Sequence, residues 1–91
     1  MSVYSWIITE DHLDGEETNV TGPRGSTTDW KANPNQGVEF KMYDDDQELY
    51  YTGRIVGDYD GFEPMDDFGT PNAGCTGIMY KNETTGEWEY L

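Results

Sequence analysis

Basic residues and cysteine are scarce in this sequence. Only 5 Lys and Arg stand against 19 Asp and Glu in 91 residues, which gives a formal net charge of −14 at pH 7, and Cys75 is the single cysteine. One cysteine allows neither an intrachain disulfide nor a multi-cysteine metal site. So few basic residues form no basic patch, and we therefore expect no direct binding of nucleic acid.

The sequence also lacks the segments that direct a chain to or through a membrane. No apolar run approaches the ~20 residues of a membrane span, and the first residues lack the basic region and apolar core of a signal peptide. We therefore expect a protein of the cytoplasm without a membrane partner.

Aromatic residues, by contrast, are plentiful. Low hydrophobicity with high charge is typical of disorder. Three Trp, seven Tyr and three Phe argue for a fold, because each large ring can bury roughly 150–250 Å². A chain of this length forms one domain, residues 1–91, and buries only about two-thirds of its unfolded surface. We expect a small aromatic core inside a strongly anionic shell.

The clearest structural signal is a β-hairpin in residues 38–56, VEFKMYDDDQELYYTGRIV. Val38, Phe40 and Met42 recur every second residue, which is the period of a strand with one buried face. Turn-prone residues 44–47 (DDDQ) interrupt the pattern, and strand formers resume at residues 49–52 (LYYT). The sequence thus predicts a hairpin with an acidic tip.

Three further segments have the composition of strands. Residues 3–9 (VYSWIIT) are apolar on both faces, which is typical of a central strand. Residues 74–81 (GCTGIMYK) and the alternating residues 87–91 (EWEYL) predict two more strands, joined by a turn at 82–86.

The other segments predict little regular structure. Residues 10–25 show no sustained period and predict a long loop. Candidate N-caps at 26–29 predict a helix of one or two turns around Trp30. Residues 57–74 hold four glycines and two prolines and predict a compact loop pinned by its own side chains. The fold class expected is mainly β, α+β at most: a single small antiparallel sheet or partly open barrel of about five strands, with at most one short helix.

Two residues with catalytic potential lack suitable surroundings. His12 is the only histidine and lies beside Asp11 in an acidic segment without a nucleophile pattern. Nothing near Cys75 in the sequence would lower the pKa of its thiol, and surrounding negative charge favours the inert neutral form. Paired carboxylates are too abundant for any one pair to be informative. We expect no enzyme activity, no catalytic residue and no cofactor.

Two acidic clusters offer oxygen ligands without the spacing of a calcium loop. Asp44, Asp46 and Glu48 alternate as calcium ligands do, but Leu49 stands where that loop requires glycine and no glutamate occupies its twelfth position. A second, equally incomplete cluster contains Asp58, Asp60, Glu63, Asp66 and Asp67. Turn-forming aspartates on a solvated surface are favoured over a metal site.

The negative charge itself has three interpretations. It can provide solubility in a host rich in intracellular salt, which would screen the self-repulsion. It can be an active surface, because carboxylates can occupy a groove whose Lys and Arg otherwise hold phosphates. Carboxylates two residues apart on a strand, as at Glu87 and Glu89, lie roughly 6.8 Å apart, which is two phosphate spacings along a DNA strand. The third interpretation is a divalent-cation site.

A resemblance supports the second interpretation. The central stretch MYDDDQELYYTGRIVGDYDGFEPMDDFGTPNAGC is similar to a group of short uncharacterised acidic proteins from prokaryotic genomes and mobile elements. In size, charge and aromatic content the whole chain resembles phage-encoded inhibitors of host defence, including anti-CRISPR proteins and DNA mimics. The second resemblance is compositional and carries no shared motif, so it assigns no site residues.

The expected function is therefore that of an acidic, non-enzymatic inhibitor of a basic nucleic-acid-binding protein, such as a CRISPR effector or another defence nuclease, in the host cytoplasm. The alternatives are a small housekeeping domain that is acidic through haloadaptation and a divalent-cation-binding module. Acidity all round the surface would favour haloadaptation, and acidity on one face would favour mimicry. The expected contact residues are Asp44, Asp45, Asp46, Glu48, Asp58, Asp60, Glu63, Asp66 and Asp67, with Tyr50, Tyr59 or Phe62 as anchors where exposed.

Overall fold

One antiparallel sheet of six strands forms the frame of the protein. A computed structural model describes residues 4–13, 15–16, 18–23, 28–57, 59 and 61–91. The strands are β1 (Tyr4–Asp11), β2 (Thr21–Gly22), β3 (Val38–Tyr43), β4 (Leu49–Gly57), β5 (Gly77–Lys81) and β6 (Trp88–Tyr90). Their order in the sheet is β2-β1-β4-β3-β5-β6. The predicted mainly β fold is confirmed, as an open sheet rather than a barrel.

The predicted hairpin lies at the centre of this sheet. Strands β3 and β4 pair antiparallel, with Phe40 opposite Gly53 and Met42 opposite Tyr51. These residues face the same side of the sheet as Ile55, and Phe40, Met42 and Ile55 are fully buried. Glycine is required at position 53, because a Cβ there would overlap the Phe40 ring and the carbonyl oxygen of Ile7.

One short helical segment covers the buried side of the sheet, which we call the core face. A π-helix, Met65–Gly69, runs directly into α1, Thr70–Ala73. We call residues 65–73 the helical cover. Phe68 packs between Trp6, with ring centroids 5.5 Å apart, and Tyr51, with centroids 4.9 Å apart. Met65 and Cys75 complete the same hydrophobic cluster.

The sequence predicted the helix in the wrong place. Residues 57–74 were expected to form a loop, yet part of this segment is helical because its prolines and glycine occupy permitted positions. Pro64 is the N-cap of the π-helix, Pro71 lies in the first turn of α1, and Gly74 ends α1 with φ 72°. The residues after Trp30 form turns instead, and the Asp29 carboxylate accepts hydrogen bonds from the amides of Lys31 and Ala32.

The segment expected to be one long loop, residues 10–25, is also partly strand. β1 continues through Asp11, and the chain then returns so that Thr21 pairs with Ile7 and Gly22 with Trp6. β2 is therefore the sixth strand, two residues long, which is too short for a pattern to reveal. None of the described helices is long and apolar enough to cross a membrane.

Removing the Phe68 ring should loosen the helical cover. For Phe68→Ala we expect a loss of about 3–5 kcal/mol in the free energy of unfolding, because the cavity would lie between two aromatic rings. The matched control is Phe62→Ala, since Phe62 is 45% exposed, and its loss should stay near ~0.5 kcal/mol. Urea unfolding of both variants makes the comparison, and equal losses would contradict this packing.

Candidate functional site

The hairpin tip, residues 44–48, is the first of the two predicted acidic clusters. Asp44 turns its carboxylate back onto the chain, where Oδ1 accepts hydrogen bonds from the amides of Asp46 (2.9 Å) and Glu48 (2.8 Å). The backbone amide of Gln47 donates to the Asp44 carbonyl, and the Asp44 amide donates to the Glu48 carbonyl. Asp44 therefore shapes the turn from within.

The same hydrogen bonds control the protonation of Asp44. The amide of Glu48 lowers the pKa of the Asp44 carboxyl, with further contributions from the Tyr50 hydroxyl and the Asp46 amide. Asp45, Asp46 and Glu48 are exposed. The tip thus consists of one inward carboxylate that fixes the turn and three outward carboxylates that face solvent.

The second predicted cluster also contains inward carboxylates. Asp67 Oδ2 accepts hydrogen bonds from the Tyr4 hydroxyl (2.8 Å) and from Trp6 Nε1 (3.0 Å). Glu63 Oε1 accepts one from the Gly61 amide (2.7 Å). Asp66 is exposed on the helical cover. The remaining two predicted members, Asp58 and Asp60, lie outside the described residues.

Asp67 links the helical cover to β1. Asp67 Oδ2 accepts a hydrogen bond from the indole N–H of Trp6, whose ring is buried in the core. Burial, followed by the hydrogen bond to Asp67, raises the pKa of Tyr4 to about 12. Asp67 is therefore a structural anchor as well as a surface carboxylate.

The structure does not bring the two predicted clusters together. The tip adjoins Leu49 at the start of β4, whereas Asp67 contacts Tyr4, which pairs with Gly57 at the other end of that strand. At about 3.3 Å per residue, Leu49 and Gly57 lie about 26 Å apart along β4, so the clusters lie toward opposite ends of this strand. They are two separate acidic regions rather than one site.

The basic residues have a clearer distribution than the acidic ones. We call the side of the sheet opposite the helical cover the open face. Lys41, Arg54 and Lys81 project from it, since each alternates along its strand with a buried residue of the core face. Lys31 lines a cleft of about 450 Å³ beside Ile7 and Trp30 on the same side. All four Lys and Arg residues that the structure describes therefore lie on or beside the open face.

The three cations of the open face contact groups of the protein itself. Arg54 donates hydrogen bonds to the carbonyls of Asn35, Gln36 and Gly37 and to Glu39 Oε1 (3.0 Å). Lys81 Nζ lies 3.7 Å from Glu39 Oε2.

The Lys41 ammonium lies 4.2 Å from the centre of the Trp88 ring. Because these cations are engaged internally, they leave the carboxylates of the hairpin tip without a described basic neighbour.

Exposed carboxylates are not restricted to the tip. They also occur on the helical cover, at the end of β1 and in the segment after it, and beside Trp30. Others lie in β6 and in the segment that joins β5 to β6. Among the described residues, those outside the tip are Glu10, Glu16, Asp29, Asp66, Asp67, Glu83, Glu87 and Glu89. In the part of the chain that the structure describes, the acidity is therefore widespread, and the Lys and Arg residues that offset it lie on or beside the open face.

The two residues with catalytic potential lie in unrelated surroundings. His12 Nε2 lies 3.3 Å from Glu10 Oε2 and 3.2 Å from Thr52 Oγ1 on the surface. Cys75 is buried beside Met42 and Gly69. Burial, reinforced by the charge of Asp44, raises the pKa of the Cys75 thiol to about 11. Within the described ranges, no three His, Cys, Asp or Glu side chains are grouped so that they could hold a metal ion.

Of the three suggested aromatic anchors, only Phe62 is strongly exposed. Tyr50 packs against the core cluster, and Tyr59 stacks on Tyr80 with ring centroids 5.7 Å apart. Sequence reasoning missed a second exposed ring, Tyr90, which lies 6.1 Å from the Tyr43 ring. The alternation in residues 87–91 placed Tyr90 on a face, but the strand register was needed to bring it near the hairpin.

Comparison of the chain with models of protein families, with curated proteins and with solved structures yields no match.

The two roles of the tip aspartates can be separated by substitution. We expect Asp44→Ala to lower the melting temperature more than Asp45→Ala, because only Asp44 accepts backbone hydrogen bonds within the turn. The lowered pKa of Asp44 means that its charge stabilises the fold above its ordinary pKa of 3.8 and stops doing so as pH falls through the folded value. Thermal unfolding at neutral and strongly acidic pH measures both effects. Equal melting temperatures for the two variants at neutral pH would contradict the assigned role.

Proposed function

We propose that this chain is an acidic, non-enzymatic inhibitor that binds a basic, nucleic-acid-handling host protein, as anti-CRISPR proteins and other DNA mimics do. The observation that carries the proposal is the hairpin tip, in which Asp44 fixes the turn while Asp45, Asp46 and Glu48 face solvent. Such a protein would act in the cytoplasm of the host cell.

Two physical properties of the tip suit this role. Its internal hydrogen bonds order the turn before binding, so that less conformational freedom is lost when a partner is bound. Its three outward carboxylates add to a net charge of −14, which attracts a basic surface from a distance and speeds association. A groove that holds Lys and Arg for phosphates would accept carboxylates in their place.

A second candidate function is a housekeeping domain whose acidity suits a salt-rich host. The observation that favours it is the presence of exposed carboxylates outside the tip, among them Glu10, Glu16 and Glu83. In that case the tip would have no special importance, and any group of surface carboxylates would contribute equally to solubility.

Charge reversal distinguishes the two candidates. In one variant Asp45 and Asp46 become Lys, and in the control variant Glu10 and Glu16, which lie outside both the tip and the β6 edge, become Lys, so that the net charge changes equally. Under the proposal, nucleic-acid-binding proteins captured from a bacterial lysate by the immobilised chain are lost with the tip variant and retained with the control.

Thermal unfolding first verifies that both variants fold, which we expect because substitutions at solvated positions change stability by only about 0.5 kcal/mol each. If the tip variant retains the same proteins as the unmodified chain, the tip is not the site. If both variants lose them equally, the total charge and not the tip is responsible, and the proposal is wrong.

A further inference from the structure

Strand β6 is an edge strand of the described sheet. It pairs with β5 through alternate residues: the Leu91 amide donates to the Ile78 carbonyl, the Asn82 amide donates to the Glu87 carbonyl, and Glu89 lies opposite Tyr80. In an antiparallel ladder the residues between these pairs direct their backbone groups to the other side. The N–H and C=O groups of Trp88 and Tyr90 therefore face outward, as a template for another strand.

Apolar side chains surround this edge. Tyr90 is 55% exposed, Leu91 is 54% exposed, and Phe62 is 45% exposed. The Leu91 side chain lies against Gly61, and Phe62 is the next residue after Gly61 in the sequence. Two of the four large hydrophobic residues that are exposed in the described structure, Tyr90 and Leu91, thus lie at this sheet edge, and a third, Phe62, directly follows the glycine that Leu91 contacts. An edge strand of this kind can pair with an extended segment, which adds to the sheet as a further strand.

The charge beside the edge indicates what kind of segment fits. Glu83, Glu87 and Glu89 are exposed in β6 and in the segment that joins it to β5. The described cations nearest to β6 are already engaged, Lys41 over the Trp88 ring and Lys81 with Glu39. A second copy of this chain would bring the same carboxylates and another net charge of −14 to the edge, so that repulsion opposes self-association. An extended segment bearing Lys or Arg would be attracted instead.

We propose that the outer edge of β6 accepts an extended, basic segment of a partner protein as an added strand, with Tyr90 and Leu91 as apolar anchors. The proposal rests on the proposed function for the basic character of the partner and adds how that partner is held. The edge lies near the hairpin tip, because the Tyr90 ring centroid is 6.1 Å from that of Tyr43, which directly precedes Asp44. One basic partner can therefore contact the tip and the edge together.

The probe is a synthetic peptide of about eight residues that alternates Lys and Val and is blocked at both ends, a length that spans more than β6. It is titrated into the full chain labelled with ¹⁵N, and amide shifts and amide hydrogen exchange are followed. We expect the exchange of the Trp88 and Tyr90 amides to slow, since these amides would become hydrogen-bonded. A peptide that alternates Glu and Val is the control and should cause no such change.

Two variants isolate the backbone contribution. Tyr90→Ala removes the ring and keeps the amide, whereas Tyr90→Pro removes both, without removing a bond to β5. We expect Tyr90→Pro to bind the Lys–Val peptide about tenfold more weakly than Tyr90→Ala, which corresponds to the loss of one backbone hydrogen bond. Amide spectra of both variants verify that β5 and the hairpin keep their structure.

Amide shifts confined to residues 44–48 would overturn the edge proposal and leave the acidic tip as a binding site. Equal affinity of the two Tyr90 variants would likewise overturn it. A concentration-dependent dimer that Tyr90→Pro abolishes and the peptide does not disrupt would identify a second copy as the occupant, which also contradicts the proposal. The tip variant described above tests the proposed function separately, so the two can fail independently.

Discussion

The burial of the core face under the helical cover is the constraint on which the rest of the structure depends. A single sheet needs a second layer to keep its apolar side from water. Here residues 65–73 supply that layer through Phe68, which lies between the rings of Trp6 and Tyr51. Asp67 holds the same segment to β1 by accepting hydrogen bonds from Tyr4 and Trp6. This small aromatic core allows a chain with a net charge of −14 to fold.

The acidic residues divide into two groups because of this arrangement. Asp44, Glu63 and Asp67 accept hydrogen bonds from the protein itself, and so they shape a turn, a loop and a helix. Others, such as Asp45 and Asp46, face solvent and are available to a partner. The cations, meanwhile, are occupied on the open face. A surface whose exposed carboxylates are widespread, and whose described cations are engaged on or beside the open face, suits binding to a basic protein.

Local patterns in the sequence predicted the hairpin, because the two-residue period of Val38, Phe40 and Met42 is that of a strand and turn-prone residues separate it from a second run of strand formers. They failed for residues 65–73, where Pro and Gly argued against a helix, although Pro64 and Gly74 stand at its two ends and Pro71 lies in the first turn of α1. The tip residues could be predicted as exposed, but the inward role of Asp44 and Asp67 could not, since it depends on backbone amides and on rings distant in sequence. The β6 edge depends on strand order, which no local pattern contains.

The central claim is that carboxylates of this chain occupy the nucleic-acid site of a basic partner. The most direct measurement is competition between the chain and duplex DNA for a captured partner, at two salt concentrations. The account predicts that the chain and DNA exclude each other from the partner. It also predicts that association slows as rising ionic strength shortens the Debye length below ~8–10 Å. A complex in which the partner holds this chain and its nucleic acid together, with an affinity that does not change with salt, would contradict it.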